Sequence, residues 1–178
     1  MKAMTSQTKS ATRPRIAAIA CAFASVFSLH SAAVDVGAAA PDISLPTLSG
    51  KFESSQARGK VLYVDFWASW CVPCRQSFPW MNDMQAKYAA RGLQVVAINV
   101  DAKRADADRF LAQVESKVSI AFDANGDTPK RFGVKGMPSS YLIDGDGRLI
   151  KAHSGFRDSD KTALEAAIVA ALDATKRK

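Results

Sequence analysis

An α/β fold, with a central mixed sheet covered by helices on both faces, is what this sequence predicts, and three observations lead there. Val61–Trp67 and Leu93–Val100 are short, nearly continuous apolar runs rich in β-branched and aromatic residues, the pattern of strands buried on both faces. Segments of helical periodicity alternate with such runs along the chain. Two further strand-like runs and a last helical stripe close the sequence.

The elements follow in order. Residues 34–40 are small and lack periodicity, so they read as a linker, with the folded domain at 41–178. Ile43–Leu48 and Lys51–Glu53 flank Ser49-Gly50 and predict a short N-terminal hairpin. Gly59-Lys60 leads into the first central strand. Cys71 to Arg91 reads as a helix. Phe78, Met81, Met84 (or Gln85) and Tyr88 recur at three- and four-residue steps, and Gly92 supplies the stop. Pro79 inside it predicts a kink. Ala105–Glu115 predicts a helix with Phe110, Leu111 and Val114 inward, and Val118–Phe122 a strand. Thr128–Phe132 predicts a short helix that tolerates Pro129 in its first turn. Ser139–Asp144 and Arg148–His153 predict two strands joined by Gly145-Asp146-Gly147. Ser159–Lys176 closes the chain as a helix with Leu164, Ile168 and Leu172 on one stripe.

Composition narrows the function classes. A hydrophobic content of 48% is ordinary for a globular chain and argues against disorder over most of its 178 residues. Three cysteines are too few for a disulfide-stapled scaffold or a four-thiolate zinc site. The formal charge is +7, but four basic residues lie in 1–33, which holds no acid. The remainder carries 20 basic against 17 acidic side chains, a solvated surface and no case for a nucleic-acid partner.

Residues 1–33 read as an export signal. A basic stretch ends at Arg15, the apolar run Ile16–Leu29 follows, and Ser31-Ala32-Ala33 offers small residues for cleavage. The apolar run is shorter than the roughly 20 residues of a membrane span, so cleavage is favoured over an uncleaved anchor. Cys21 falls mid-run and is discarded with the signal, leaving two cysteines in an oxidising compartment, the periplasm or an equivalent space.

Those two form Cys71-Val-Pro-Cys74, placed after a strand and opening a helix. The first helical turn carries free N–H groups and the positive end of the dipole, so a thiolate there is stabilised and its pKa falls. Cys71 at the tip is expected to be exposed and nucleophilic. Cys74, one turn in, is expected to be shielded and to resolve the mixed disulfide. Pro73 fixes the turn and needs no N–H. A structural disulfide would constrain little of the unfolded chain across so short a loop. A zinc site lacks a second ligand pair, and a haem-attachment motif needs His where Arg75 stands.

Val64-Asp-Phe-Trp-Ala-Ser-Trp-Cys-Val-Pro-Cys-Arg75 resembles the active-site run of thioredoxins, and Phe132-Gly-Val-Lys-Gly-Met-Pro-Ser-Ser-Tyr-Leu-Ile-Asp144 resembles their second signature. The resemblance implies a thioredoxin fold. It also implies a cis peptide before Pro138, facing the cysteines, with the Met137 backbone free to pair with an extended substrate. The segment from about Lys103 to Asp123 adds a helix and strand to the plain thioredoxin plan. With the leading hairpin and the export signal, this is similar to the exported TlpA/ResA group. Members of that group generally reduce periplasmic thiols, often in cytochrome c or cytochrome oxidase assembly. The implied partners are protein thiol or disulfide substrates and an upstream membrane electron donor, with no cofactor and no metal.

Asp65, six residues before Cys71 on the apolar strand, matches a buried acid of thioredoxins, although many members of the exported group carry Asn there. The resemblance implies that it helps deprotonate Cys74; the competing reading is a strand residue satisfied by a local hydrogen bond. Trp67 reads as core and Trp70 as surface beside Cys71. Met81 and Met84, at helical spacing, read as core filler. A second function class is a copper-carrying assembly module. Such carriers use Cys-x-x-x-Cys with a His, whereas the spacing here is one short and His153 is the sole candidate ligand. A peroxidase of the same superfamily fits poorly, because Trp70 replaces the expected threonine motif.

Overall fold

The computed structural model describes Met1 and residues 34–177, so the export-signal reading of 1–33, with Cys21, lies outside the described residues. Seven strands form: β1 (Ser44–Thr47), β2 (Gly50–Glu53), β3 (Val61–Trp67), β4 (Leu93–Asn99), β5 (Ser119–Phe122), β6 (Ser139–Ile143) and β7 (Leu149–Ser154). They make one sheet in the order β2-β1-β5-β4-β3-β6-β7. The sheet is mixed: β3, β4 and β5 run parallel, and the remaining pairings are antiparallel. Helices are α1 (Val72–Tyr88), α2 (Arg104–Leu111), α3 (Asp127–Phe132) and α4 (Lys161–Lys176).

Every residue of β3 is buried, as a strand with neighbours on both edges and both faces requires. Alternation splits it between two cores. Val61, Tyr63 and Trp67 pack with Phe78 and Met81 of α1, Phe110 of α2, and Leu164 and Ile168 of α4. Leu62, Val64 and Phe66 face Phe132 of α3, Tyr141, and Ile43 and Phe52 around the hairpin. Helices therefore cover both faces, with α1, α2 and α4 on one and α3 on the other.

The helices are trimmed relative to their apolar patterns. Cys71 caps α1 and does not belong to its first turn; α1 runs without interruption through Pro79 and ends at Tyr88, before a 3₁₀ turn over Ala89–Arg91. Gly92 follows at φ 98°, a left-handed conformation open to glycine. α2 stops at Leu111, short of the expected Glu115. The reason is a side chain on α1: Asn82 Nδ2 donates to the Glu115 carbonyl at 2.8 Å, and the Lys117 amide donates to Asn82 Oδ1 at 2.8 Å. These bonds satisfy loop backbone that a longer helix would have satisfied itself. α4 starts at Lys161, after a 3₁₀ turn over Asp158–Asp160. The segment read as a linker makes backbone bonds: Gly37 N–H donates to Leu149 O, Leu149 N–H to Ala38 O, and Ala40 N–H to Gly147 O.

Candidate active site

The carboxyl ends of β3 and β4 lie side by side, and the loop from β3 delivers the cysteines to the start of α1. Cys71 occupies the cap position with extended backbone (φ −85°, ψ 102°), and the Cys74 amide donates to Cys71 Sγ at 3.3 Å. Pro73 sits in the first turn, where its missing N–H leaves no bond unmade. The two sulfurs are bonded to each other, with Cα atoms 5.3 Å apart.

Burial departs from the expectation for Cys71. In this disulfide form it is only 4% exposed, and Cys74 is 0% exposed. The Cys71 sulfur lies against the first turn of α1, bonded to Cys74 and accepting from its amide. Exposure passes to its neighbours instead: Trp70 is 69% and Val72 70% exposed, an apolar rim on either side of the cysteine. Trp67 lies in the core beneath, packed edge-on against Phe78 and tilted against Phe110. Arg75 stacks its guanidinium 4.6 Å from the centre of the Phe110 ring and donates to Gln113 Oε1 at 3.0 Å. The added helix α2 is thus tied to the residue that follows Cys74.

A polar brace holds the loop before Cys71. Asp101 Oδ2 accepts from the Ser69 amide at 2.9 Å and from Asn99 Nδ2 at 2.7 Å, while its Oδ1 accepts from Ser69 Oγ at 3.0 Å. Asp101 is 7% exposed, so these bonds act in a largely desolvated place. Sequence reasoning passes over Ser69, Asn99 and Asp101. A signal exists: Asn99-Val-Asp101 stands at the carboxyl end of a strand parallel to the one that delivers Cys71, the end where α/β sheets gather their chemistry.

The peptide between Met137 and Pro138 is cis. Met137 is half-buried and packs against the cluster that contains Cys71, Cys74 and Trp67. Asp65 is 2% exposed and pairs with Ala97 on β4 and Ser140 on β6. Strand alternation puts it on the face of Tyr63 and Trp67, under α1 and α4. Its Oδ2 has no hydrogen-bond partner among the described residues, and burial pushes its carboxyl well above the usual carboxylate range. The Tyr63 phenol is pushed up by the same burial and by the Asp65 charge, with the nearby Ser140 acting in the opposite direction.

His153 lies on the edge strand β7, with Nε2 3.3 Å from Asp160 Oδ2. Among the described residues no three His, Cys, Asp or Glu side chains are grouped so as to hold a metal ion, and no helix is long and apolar enough to cross a membrane.

A vicinal pair of cysteines that closes to a disulfide at a helix N-terminus exchanges two electrons with other thiols and needs no further group to do so. With a cis-proline loop beside it on this sheet, the pair defines a thiol–disulfide oxidoreductase of thioredoxin fold. Residues 35–168 match the redoxin family model. The thiol-disulfide oxidoreductase ResA of Bacillus thuringiensis subsp. konkukian is 33% identical over 133 residues, 74% of this chain and 76% of that one. A crystal structure from Chlorobium tepidum, described as a thiol:disulfide interchange protein DsbE, is 58% identical with a TM-score of 0.77, covering 79% of this chain and 99% of its own. A solution structure from Bacteroides thetaiotaomicron, described as a protein disulfide isomerase, shares the fold at 23% identity, with a TM-score of 0.72 over 79% of this chain and 91% of its own. The chain belongs to the redoxin family, among the thiol–disulfide oxidoreductases related to ResA.

Proposed function

We propose that this chain reduces protein disulfides outside the cytoplasm, with Cys71 attacking and Cys74 resolving. The observation that carries the assignment of roles is the Cys74 amide directed at Cys71 Sγ from the first turn of α1. Once the disulfide opens, that amide and the helix dipole favour a thiolate on Cys71 and do nothing comparable for Cys74. The Cys71 thiolate attacks a substrate disulfide and releases one substrate thiolate. Cys74 then loses its proton and attacks Cys71 Sγ, which releases the second substrate thiol and leaves the Cys71–Cys74 bond. Asp65, on the α1 face of β3, accepts the Cys74 proton in this reading. Trp70 and Val72 give an apolar rim for an extended substrate, and the backbone of Met137 beside Pro138 pairs with it.

The direction of electron flow and the compartment rest on the likeness to the exported TlpA/ResA group and on the basic, apolar and small-residue order of 1–33. A membrane electron donor re-reduces the disulfide, and cytochrome c or cytochrome oxidase assembly supplies the substrates. The test is the equilibrium potential of the Cys71–Cys74 couple against glutathione. A reductant falls at about −200 mV or below, whereas a value near the roughly −120 mV of a strong oxidant would reverse the proposed direction.

A further inference from the structure

We propose that Ser140 and His153 form the route by which the proton of Asp65 exchanges with solvent. The proposal rests on the reading of Asp65 as the proton acceptor for Cys74. A carboxyl that takes a proton in each cycle must also lose one. Asp65 is 2% exposed, and on its own face of the sheet Trp67, Phe78 and Ala97 are each 0% exposed, so the apolar core on that side conducts no proton. A polar row crosses the sheet from this point. Asp65 pairs directly with Ser140, and Ser140 pairs directly with His153. Directly opposed residues share a face, with Cβ atoms about 4.5–5.5 Å apart.

The row is continued by more than register. Tyr63 joins it, because its side chain and that of Ser140 line one small cavity. Between β3, β6, β7 and α4 lies a cavity of about 10 Å³, lined by the polar side chains of Tyr63, Ser140, Lys151 and His153 and by Leu142, Leu164 and Ala167. That is close to the space one water needs, about 10–15 Å³, and Tyr63, Ser140 and His153 supply the two to four polar partners such a water requires. At the outer end the His153 and Asp160 side chains are each 25% exposed, so the row reaches solvent. Asp160 Oδ2 also accepts from the Arg157 amide at 2.9 Å, which holds the carboxylate against the ring.

The groups that face His153 are Asp160 from the turn before α4, Lys151 from its own strand, Tyr63 from β3, and Lys135, which lines a shallow cleft on its other side. Among them the imidazole alone carries two ring nitrogens, one able to accept a proton while the other releases one. The transfer balances without an added reagent. Asp65 passes its proton to Ser140 Oγ as Ser140 passes its own to a water in the cavity. The water protonates the imidazole, and the imidazolium releases the proton to bulk. Burial disfavours the ionised carboxyl, so Asp65 has to be emptied along this row before it can accept from Cys74. A blocked row therefore slows resolution itself.

The test uses the full chain, a mixed disulfide formed on Cys71, and stopped-flow resolution rates at neutral pH. His153→Gln and Ser140→Ala are each expected to slow resolution by about tenfold or more, within the range general acid–base help supplies. Alkylation of Cys71 in the reduced protein is expected to stay unchanged. Added imidazole is expected to restore the His153→Gln rate and to leave Ser140→Ala and Asp65→Asn slow, because the small base reaches only the outer end. Slow resolution in Asp65→Asn with normal rates in His153→Gln and Ser140→Ala would overturn the route and keep Asp65 as acceptor. Normal resolution in Asp65→Asn would overturn both. A slow His153→Gln that imidazole fails to rescue would assign the ring to packing and overturn the route.

Discussion

Replacing Asp65 by Val should make the oxidised protein more stable, and more so as pH rises. Asp65 is 2% exposed, and its Oδ2 has no partner among the described residues. A buried polar group left unsatisfied costs about 1–3 kcal/mol, and the valine removes that cost at every pH while suiting a buried strand. The pH dependence comes on top. Burial raises the folded-state pKa of Asp65 well above its ordinary value. Below about pH 4 the group is protonated in both the folded and the unfolded chain, so it contributes no slope. Above that the unfolded chain releases the proton while the folded chain keeps it. Stability then falls by about 1.4 kcal/mol per pH unit until pH passes the folded-state pKa. Urea unfolding of both proteins, disulfide intact, at pH 4, 5, 6 and 7 reads the difference directly, and all other titrating groups cancel in it. A difference that stays flat across this range, or that shrinks as pH rises, would refute the burial argument for Asp65.

Three further outcomes are expected. Cys71→Ser abolishes turnover of a disulfide substrate and Cys74→Ser traps a mixed disulfide on Cys71; mapped alkylation of the reduced wild type should label Cys71 first, and preferential labelling of Cys74 would invert the two roles. Asp101→Ala strips the partners from the Ser69 amide, Ser69 Oγ and Asn99 Nδ2. With hydrogen bonds to a charged group worth about 1.5–3 kcal/mol each before relaxation, it should destabilise the fold by a few kcal/mol and blunt the preference for alkylating Cys71; chemical denaturation and labelling ratios check both. Protein recovered from fractionated cells should begin near Val34 and lie outside the cytoplasm, and N-terminal sequencing that finds 1–33 intact in membranes would identify an anchored form.

The order of elements was legible because burial imposes periods on a sequence. A strand covered on both faces must be apolar throughout, and β3 spans the apolar run Val61–Trp67 end to end. The redox pair was legible because Cys-x-x-Cys between a strand and a helix places a thiolate at a helix N-terminus, and the chain offers neither a second ligand pair for zinc nor the His of a haem attachment. Element ends were less legible. α2 stops four residues early because Asn82, some 30 positions away, satisfies the backbone of the next loop. No local pattern carries that fact.

What the sequence by itself determined is the alternation of strands and helices, the chemistry of Cys71 and Cys74, and the family of folds, since each is encoded in residues close together along the chain. Tertiary structure alone decided which polar groups share a space. It brings Asp101 of one strand end to Ser69 of the neighbouring loop, and aligns Asp65, Ser140 and His153 from three strands in one row. It also decided that Cys71 is covered in the disulfide form while Trp70 and Val72 stand exposed. The physical reason is that register and crossover connections set distances between residues far apart in sequence. Desolvation then acts on whatever those distances enclose, so the carboxyl of Asp65 takes its properties from a core assembled around it and not from the residues beside it in the chain.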